Sequence, residues 1–520
     1  MRILQKLALP SLALTLSFGM VYTLRAQTTT DQDADQPSFQ VMLELLRSVM
    51  QHVENYYVEP MQSPELMEAA LKGMLSSLDP YSDFMTPKDM QELSEETSGK
   101  YGGLGMQVGI RDGWPTVIAP FEGTPAYKKG LRPGDKIIEI EGESTYDMSI
   151  NEVVKRLKGP KGTKVTIKVI KPGAAEAVEI TLTRDTITVH PVPYYGMVES
   201  DIGYVKLNAF SEEASSELMN ALDSLEAQGA HSIILDLRGN PGGLLREAVN
   251  VCDLFLDKNS LIVSTKGRGS EDVLTYFARQ QPEIPQDQKI VVLVDNGSAS
   301  ASEIVSGALQ DWDRALILGD TTFGKGLVQR VFPLEYNYAL RLTTSRYYTP
   351  SGRCINRINK LGGKSVVDSL NDMTFHTKRL EREVKGGGGI IPDVVIEPEK
   401  FHQITAEVVA KGLVFKYAVE YAKKHDAPGS GLIKLSDRDM EKFKDFLISN
   451  DMDINECQWE QAKDQLRYFL QQDIAEKYWG LKGRYRQSLV GDPMTEEAVK
   501  RLKRAKDVDM LLIQASKKEK

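Results

Sequence analysis

One stretch of the chain, residues 290–329, combines residue types that could perform nucleophilic catalysis. It begins with an apolar, β-branched run, 290–294, which predicts a buried strand. A run of small residues, 298–302, follows, and apolar residues at helical spacing come next. A strand, a tight turn and a helix in this order place a side chain at the edge of a sheet, beside the N–H groups of a helix N-terminus. Because such groups stabilise a developing oxyanion, a serine in this run is a candidate nucleophile.

A serine nucleophile needs a base, and the stretch offers a lysine. The chain has six histidines, none of them within residues 290–329. Lys325 lies between two glycines after a second apolar run, and a lysine acts as a general base once burial lowers its pKa towards neutrality. Gln329 follows four residues later, and a neutral amide can orient an amine without adding a charge that keeps it protonated. Serine, lysine and glutamine could therefore be nucleophile, base and orienting group.

Other interpretations of the same residues stay open. Runs of small residues are often close-packing turns, and a lysine between glycines is often only a turn residue. Residues 319–325 also match the start of a phosphate-binding loop, in which two glycines spaced by four residues precede a lysine. That motif requires Ser or Thr next and then a helix, whereas this chain has Gly326 followed by an extended pattern at 327–332. A nucleotide site is therefore disfavoured.

Two segments together resemble a known family, the carboxyl-terminal processing proteases, also called tail-specific proteases. They are residues 296–303, NGSASASE, and residues 322–329, TFGKGLVQ, and their separation also matches. The resemblance covers roughly residues 40–400. It implies a crotonase-like α/β protease core that needs no cofactor or metal, with Ser300 as nucleophile, Lys325 as base and Gln329 as its support.

A β-rich segment between residues 99 and 186 resembles a PDZ domain. A glycine-rich loop at 101–106 precedes the pattern GTPAYKKGLRPGD at 123–135. Such a loop frees consecutive N–H groups to hold a terminal carboxylate, while the adjacent strand edge pairs with an extended peptide. The candidate loop donors are Leu104, Gly105 and Met106, although a plain hairpin turn is the alternative for this loop alone. A helix predicted at 151–157 is expected to line the groove through Val153, Val154 and Leu157.

Strand and helix patterns alternate from residue 203 to residue 310, which indicates an α/β core. A predicted buried strand at 232–238 ends in the segment GNPGG at 239–243. Locally this is typical of a turn after a strand. The resemblance implies more, namely that the amide of Gly242 or Gly243 joins that of Ala301 in an oxyanion hole.

The predicted organisation is an α/β multidomain protein with helical segments at both ends. The N-terminus has a basic start and an apolar run at 7–24, which predict a secretory signal, with an uncleaved membrane anchor as the alternative. Export would place the protein in the periplasm or cell envelope. The predicted segments are a signal peptide (1–26), a disordered linker (27–37), an N-terminal helical region (38–98), the PDZ domain (99–186), the serine protease core (187–400) and a helical C-terminal domain (401–520).

Composition narrows the function classes. The 520 residues are 41% hydrophobic and 26% charged, with a net charge of −9 and both signs interspersed, which does not suggest a nucleic-acid-binding protein. The three cysteines are too widely separated to imply a disulfide framework or metal cluster, although one pair could bridge. Expected partners are protein substrates with exposed C-termini, a second copy through the helical regions, and an activating adaptor. Two functions remain: a tail-recognising endopeptidase, and a non-catalytic PDZ protein on an inactive hydrolase scaffold.

Overall fold

The computed structural model describes residues 37–269, 273–357, 373–397 and 399–516. The signal peptide and nearly all of the linker predicted from the sequence lie outside these residues. The chain divides into two compact units, Met1–Leu71 and Lys72–Lys520. Within the described residues, no helix combines the length and apolar character that crossing a bilayer requires. All three cysteines have free thiols, with Cys252 and Cys354 buried and Cys457 exposed.

The N-terminal region is helical, as the apolar spacing predicts, but it also contains one short strand. Its elements are α1 (Phe39–Tyr56), α2 (Ser63–Ser76), β1 (Asp83–Met85) and α3 (Pro87–Ser98). Ser38 caps α1, and Thr86 with Asp89 forms a capping box at α3. Although α1 is amphipathic, none of its residues is buried in the described part of the chain.

The segment predicted as a PDZ domain folds as a β-sheet with two helices. Its elements are β2 (Lys100–Gly103), β3 (Met106–Arg111), β4 (Trp114–Pro120), α4 (Pro125–Lys128), β5 (Lys136–Ile140), β6 (Glu143–Ser144), α5 (Ile150–Leu157), β7 (Lys164–Ile170), β8 (Ala177–Thr183) and β9 (Asp185–Thr188). The main sheet has the order β3-β4-β5-β7-β8, with β6 on β5, and β2 pairs with β9. Strand β3 is therefore an edge strand, which leaves one side of its backbone open to pairing.

A six-stranded sheet forms the centre of the α/β core, in the order β10-β11-β12-β15-β16-β21. In chain order, this region contains β10 (Tyr194–Glu199), β11 (Ile202–Lys206), α6 (Ala214–Ala227), β12 (Ser232–Asp236), α7 (Leu245–Asp253), β13 (Leu261–Lys266), β14 (Val273–Phe277), β15 (Lys289–Val294), α8 (Ala301–Asp311) and β16 (Leu316–Gly319). Strands β13 and β14 belong to a second sheet, and β21 (Val394–Val395) completes the six-stranded one. All pairs from β11 onward are parallel. Every residue of β11, β12 and β16 is buried, as expected for parallel strands covered on both faces.

A second, antiparallel sheet is built around the longest of its strands, β18. The strands that follow β16 in the chain are β17 (Leu327–Pro333), β18 (Ala339–Tyr348), β19 (Thr374–His376), β20 (Glu383–Lys385) and β21 (Val394–Val395), with a 3-10 turn at Glu335–Asn337. Of these, β17 and β18 belong to the second sheet, and β19 and β20 form a separate two-stranded sheet. Strand β18 pairs with β1, β13 and β17, and β14 pairs with β13. The N-terminal strand β1 thereby joins the same sheet as β17, the strand that begins just after Lys325, the predicted base.

The C-terminal region is helical throughout, as predicted, but it serves two different cores. Its helices are α9 (Gln403–Ala410), α10 (Leu413–Lys424), α11 (Asp437–Ser449), α12 (Glu456–Ser488), α13 (Pro493–Arg504) and α14 (Val508–Ser516). Helices α9 to α12 enclose their own apolar cluster around Phe443 and Trp459. Helices α13 and α14 instead cover one face of the six-stranded sheet, where Leu502 and Leu511 contact its buried strands. The opposite face packs on α6, α7 and α8.

Candidate active site

Three loops meet at one edge of the six-stranded sheet because they leave the carboxyl ends of neighbouring parallel strands. Strand β12 leads into residues 239–243, β15 into the serine turn, and β16 into the loop of Lys325. The carboxyl edge of a parallel sheet is the usual place for a site in an open α/β fold. The predicted oxyanion segment, nucleophile and base are thus brought together by strand order.

The backbone at Ser300 has an unusual conformation. Its φ is 54° and its ψ −108°, and it is the residue immediately before α8. A positive φ in a residue other than glycine stores strain that persists only where surrounding structure enforces it, commonly at functional sites. A sharp, strained turn between a strand and a helix is also how serine hydrolases expose a nucleophile.

The two neighbouring serines are committed to structural hydrogen bonds. Ser298 and Ser302 are fully buried. The Ser298 hydroxyl donates to the Leu237 carbonyl at 2.9 Å, and the Ser302 hydroxyl donates to the Asn240 carbonyl at 2.8 Å. Ser300 is only half-buried. Its hydroxyl faces the Glu303 amide in a capping box but donates to no acceptor in the described residues. Of the three, Ser300 is the one whose hydroxyl is left for chemistry.

Glu303 fastens the serine turn to the lysine loop. This carboxylate is fully buried, and each of its oxygens accepts two hydrogen bonds. Oε1 accepts from the Thr322 hydroxyl at 2.6 Å and the Gly324 amide at 2.7 Å. Oε2 accepts from the Ser300 and Lys325 amides, both at 2.9 Å. Burial raises the pKa of Glu303, and these hydrogen bonds counteract the rise. One carboxylate therefore holds the backbones of both predicted catalytic residues.

The Lys325 amine lies over an aromatic ring instead of at the serine. Its Nζ is 4.7 Å from the centre of the Tyr81 ring, and in the described residues it makes no hydrogen bond to the Ser300 hydroxyl. Burial lowers the pKa of Lys325, the nearby Arg341 cation lowers it further, and Glu303 opposes the shift. A lowered pKa is the direction of shift that a lysine acting as general base requires. Catalytic hydrogen bonds are often unformed without substrate, so this placement does not exclude the role.

Gln329 lies on a strand instead of a helical turn. A helical bend between Gly324 and Gln329 would bring the glutamine amide to the lysine amine, but β17 already begins at Leu327. The spacing predicts either a turn or a short helical bend between Gly324 and Gln329, with glycines in unusual dihedral angles. No helical bend forms, but Gly324 has a φ of 87° and the register shifts between Val328 and Gln329. The Gln329 amide donates to the Thr343 hydroxyl at 3.4 Å, so it is not joined to Lys325 in this conformation.

The structure places Gly242 of the oxyanion segment next to the serine turn, whereas Gly243, which follows it, lies against Phe210. An added Cβ on Gly242, where φ is 104°, would lie 2.9 Å from the Ser300 Cβ and 3.0 Å from the Ala301 amide nitrogen, so only glycine fits. The Gly242 amide donates to the Asn240 side chain at 2.9 Å. By contrast, the Ala301 and Gly243 amides donate to no acceptor in the described residues. These two amides are the ones available to an oxyanion.

The predicted carboxylate loop is open in the manner that peptide binding requires. The Leu104 and Gly105 carbonyls accept hydrogen bonds from Ala126 and Phe121, both at 2.9 Å, whereas their amides have no acceptor among the described residues. Met106 then begins the edge strand β3, which contacts α5. On α5, Val153 and Leu157 are buried in the domain core, so the prediction that they line the groove is wrong, and Val154 is the exposed apolar residue.

The same loop geometry rules out the phosphate-binding alternative. Residues 320–326, which include the glycine–lysine pair, form an irregular loop, and a strand follows it. A phosphate-binding loop needs a helix at that point to present its N-terminus.

Comparison with known proteins identifies the family of this chain. Four family models match: activating protease CtpB N-terminal domain (17–89), PDZ domain (116–171), peptidase family S41 (201–361), and the C-terminal helical domain of a probable PDZ-protease (404–458). A carboxy-terminal-processing protease of Bartonella bacilliformis is 39% identical over 65% of this chain and 81% of its own length. The processing protease CtpA of Bacillus subtilis is 36% identical over 60% of this chain and 66% of its own.

This chain belongs to the carboxy-terminal processing proteases of peptidase family S41. The assignment rests on the sequence matches. Among solved structures, a photosystem II D1 C-terminal processing protease is similar at 29% identity and a TM-score of 0.39, covering 69% of this chain and 93% of that one. The α/β fold with a PDZ domain and helical segments at both ends is confirmed.

Several residues that organise this protease site are not singled out by sequence reasoning. Glu303 follows Ser300 by three residues, a spacing that indicates a helix capping box and offers a signal for its contact with the Ser300 amide. Asn240 accepts hydrogen bonds at its carbonyl from Ala299 and Ser302. Tyr81 lies far away in the sequence, and no local pattern connects it to Lys325.

Replacing Glu303 with glutamine tests whether its carboxylate assembles the protease site. An amide has only one acceptor oxygen. Its NH2 group would face two of the donors that now give hydrogen bonds to the carboxylate, and those two hydrogen bonds would be lost. Hydrogen bonds to charged groups contribute about 1.5–3 kcal/mol each, so we expect kcat/KM for a peptide to fall by roughly tenfold to several hundredfold.

The matched control for this experiment is Glu247→Gln. Glu247 is also buried, on α7, and accepts from the Ser215 amide at 3.0 Å and hydroxyl at 2.7 Å. Both variants should lose stability in thermal unfolding, but only Glu303→Gln should lose activity per folded molecule. Equal activity in the two variants would contradict the assembling role.

Proposed function

We propose that this protease is a serine endopeptidase in which Ser300 is the nucleophile, Lys325 the general base and Gln329 the residue that orients the base. The observation that carries the proposal is the Ser300 turn. Its strained backbone presents, at the N-terminus of α8, a hydroxyl that donates to no acceptor in the described residues, and Glu303 ties that turn to the lysine loop. Burial, which lowers the pKa of Lys325, supports the assignment of the base.

The proposed reaction proceeds through an acyl-enzyme. The Ser300 Oγ attacks the scissile carbonyl carbon while its proton passes to the neutral Lys325 Nζ, and the resulting oxyanion is held by the Ala301 and Gly243 amides. The C–N bond then breaks, and the leaving nitrogen takes the proton from the Lys325 ammonium. Water, deprotonated by the same amine, hydrolyses the ester and restores Ser300.

The proposal requires one conformational step. Lys325 must leave the Tyr81 ring and approach Ser300, and the Gln329 amide must turn from Thr343 towards the lysine. A cation–π contact contributes about 0.5–2 kcal/mol, so substrate contacts of similar size suffice to release the amine. An activating partner is a second possible source of such contacts.

Substitution of the base gives the most direct test. Lys325→Arg keeps a cation that stays protonated, so kcat/KM should fall by roughly 10²- to 10⁴-fold, the contribution of general base catalysis. In the parent enzyme kcat/KM should rise with pH, because the neutral lysine fraction rises, and the midpoint should lie below the value near 10.4 of a free lysine.

Ser300→Ala completes this test with Ser302→Ala as its matched control. The Ser300 variant should be inactive and still folded, and the Ser302 variant should keep activity in proportion to its stability. Substantial cleavage by Ser300→Ala or Lys325→Arg would refute the dyad. Peptide binding without cleavage by the parent enzyme would favour the non-catalytic alternative.

We also propose that the PDZ domain captures substrate C-termini. The free amides of Leu104 and Gly105 would hold the terminal carboxylate, and the edge strand β3 from Met106 onward would pair with the substrate backbone. The substrates implied are proteins with exposed C-termini.

Amidating the C-terminus of a peptide substrate removes the anion that this loop would bind. KM should rise about tenfold or more, because a hydrogen-bonded charge is lost, while kcat changes little. A peptide too short to reach from the PDZ domain to Ser300 serves as the control and should be indifferent to amidation. Equal KM values for free and amidated long peptides would count against the capture role.

The N-terminal helix α1 is proposed as a contact between two copies of the protease. Its apolar residues Val41, Leu45 and Val49 are 48–59% exposed, and a contiguous apolar helix face is normally covered. Leu45→Glu should lower the mass measured by light scattering from dimer to monomer, whereas Gln51→Glu, on the other side of α1, should not. A parent enzyme that is already monomeric would contradict the proposal.

Export to the periplasm or cell envelope remains a proposal based on the N-terminal sequence pattern. N-terminal sequencing of the protease recovered from fractionated cells distinguishes removal of a signal near residue 26 from an intact membrane anchor. A full-length protein in the cytoplasmic fraction would contradict export.

A further inference from the structure

The oxyanion segment is preceded by an arginine that is held from two sides. Arg238 is the residue before Gly239, and its guanidinium donates to Asp236 at 2.6 and 2.9 Å. On its other side it donates to Asp492 at 3.0 Å, with a second N–O distance of 2.9 Å to the same carboxylate. Paired contacts of this kind fix both position and orientation of a guanidinium.

Asp492 belongs to the C-terminal region. It is the N-cap residue of α13, is 7% exposed, and also accepts from the Thr495 hydroxyl at 2.5 Å. Helix α13 packs on the six-stranded sheet through Leu502, so the position of Asp492 is set by that packing. Residue 492 lies outside the four segments matched by family models.

Asp492 completes the charge balance of a buried cluster. Lys206 and Arg238 are its cations and Asp236 and Asp492 its anions, with the Lys206 amine 3.1 Å from Asp236. Lys206 also donates to the Arg238 carbonyl, and the Tyr204 hydroxyl donates to Asp236 at 2.7 Å. The two cations hold the pKa of Asp236 well below its usual range. Without Asp492, the guanidinium would keep one partner and the cluster would gain an uncompensated positive charge.

The cluster connects directly to the serine turn. From Arg238 the chain continues into Gly239, whose amide donates to Asp295 at 2.8 Å, and into Asn240, whose carbonyl accepts from the Ala299 amide at 3.0 Å. Gly242 then lies against Ser300, and Gly243 follows with its free amide. A shift of Arg238 would move these amides relative to Ser300.

We propose that Asp492 is a positioning residue for catalysis: through Arg238 it fixes the oxyanion segment, which makes the start of α13 a working part of the active site. The inference rests on the proposed roles of Ser300 and the Gly243 amide. It predicts a specific signature, because misplaced oxyanion donors weaken transition-state binding and leave substrate binding intact.

The test compares Asp492→Asn with Asp509→Asn. Asp509 on α14 pairs with Arg379, so it also joins a C-terminal helix to the rest of the fold, but it lies outside the cluster. Kinetics are measured on a long peptide with a free C-terminus, with active sites counted by a peptide boronate so that misfolded molecules do not contribute. Thermal unfolding is recorded for both variants.

For Asp492→Asn we expect kcat to fall about 10- to 100-fold, the usual effect of losing an orienting partner, with KM within about twofold. Affinity for the boronate, whose tetrahedral adduct resembles the oxyanion, should fall by a similar factor. Asp509→Asn should keep parental kcat and boronate affinity. Arg238→Lys should lower kcat similarly, and the double variant should be no worse than the poorer single one.

Unchanged kcat in Asp492→Asn would overturn the inference. A higher kcat would also overturn it, because the positive charge left uncompensated in the cluster would then matter more than the position of Arg238. Equal losses in the Asp509 variant would also overturn it, since they would indicate general destabilisation. Ser300→Ala separates this failure from that of the proposed function: if that variant is inactive while Asp492→Asn is normal, only the positioning role fails.

Discussion

The buried carboxylate of Glu303 is the constraint on which the site depends. A charge of this kind in the interior costs several kcal/mol unless its hydrogen bonds are satisfied, so four donors must converge on it. One donor, the Ser300 amide, comes from the serine turn, and three come from the lysine loop: the Thr322 hydroxyl and the Gly324 and Lys325 amides. The strained dihedral angles at Ser300 persist because this network and the start of α8 permit no relaxed alternative. The proposed nucleophile and base are therefore joined at the backbone level by one carboxylate.

The position of the Lys325 amine bears on how the proposed activity would be controlled. The amine lies over the Tyr81 ring and makes no hydrogen bond to the Ser300 hydroxyl in the described residues, while burial lowers its pKa. Tyr81 lies just before β1. Strands β1 and β17 both pair with β18, one on each side of it. A shift of β1 would move Tyr81, and a shift of β17 would move the segment after Lys325, so either would change the surroundings of the amine. A cation–π contact contributes about 0.5–2 kcal/mol, so moving a protonated amine off the ring needs only modest energy.

Sequence reasoning recovers the parallel core and the site loops because their signals are local. Buried apolar runs at β12, β15 and β16, each ending in a glycine-containing turn, predict neighbouring strand ends. No helical bend forms between Lys325 and Gln329, because pairing with β18 extends the chain from Leu327 onward. This pairing is a tertiary effect that the four-residue spacing does not encode. Amphipathic spacing likewise predicts α13 as a helix with a buried face, but it cannot tell that this face covers the protease sheet. The Tyr81 and Asp492 contacts join distant segments and have no local signal.

The proposed roles of Ser300 as nucleophile and Lys325 as base can be tested with a structure of the enzyme bound to a peptide boronate. We expect a covalent bond from boron to the Ser300 Oγ, with the Lys325 Nζ about 2.6–3.2 Å from that oxygen, within hydrogen-bond reach. We also expect the Ala301 and Gly243 amides to donate to a boronate oxygen. An adduct on another residue, or one on Ser300 with Lys325 still over the Tyr81 ring, would contradict these roles.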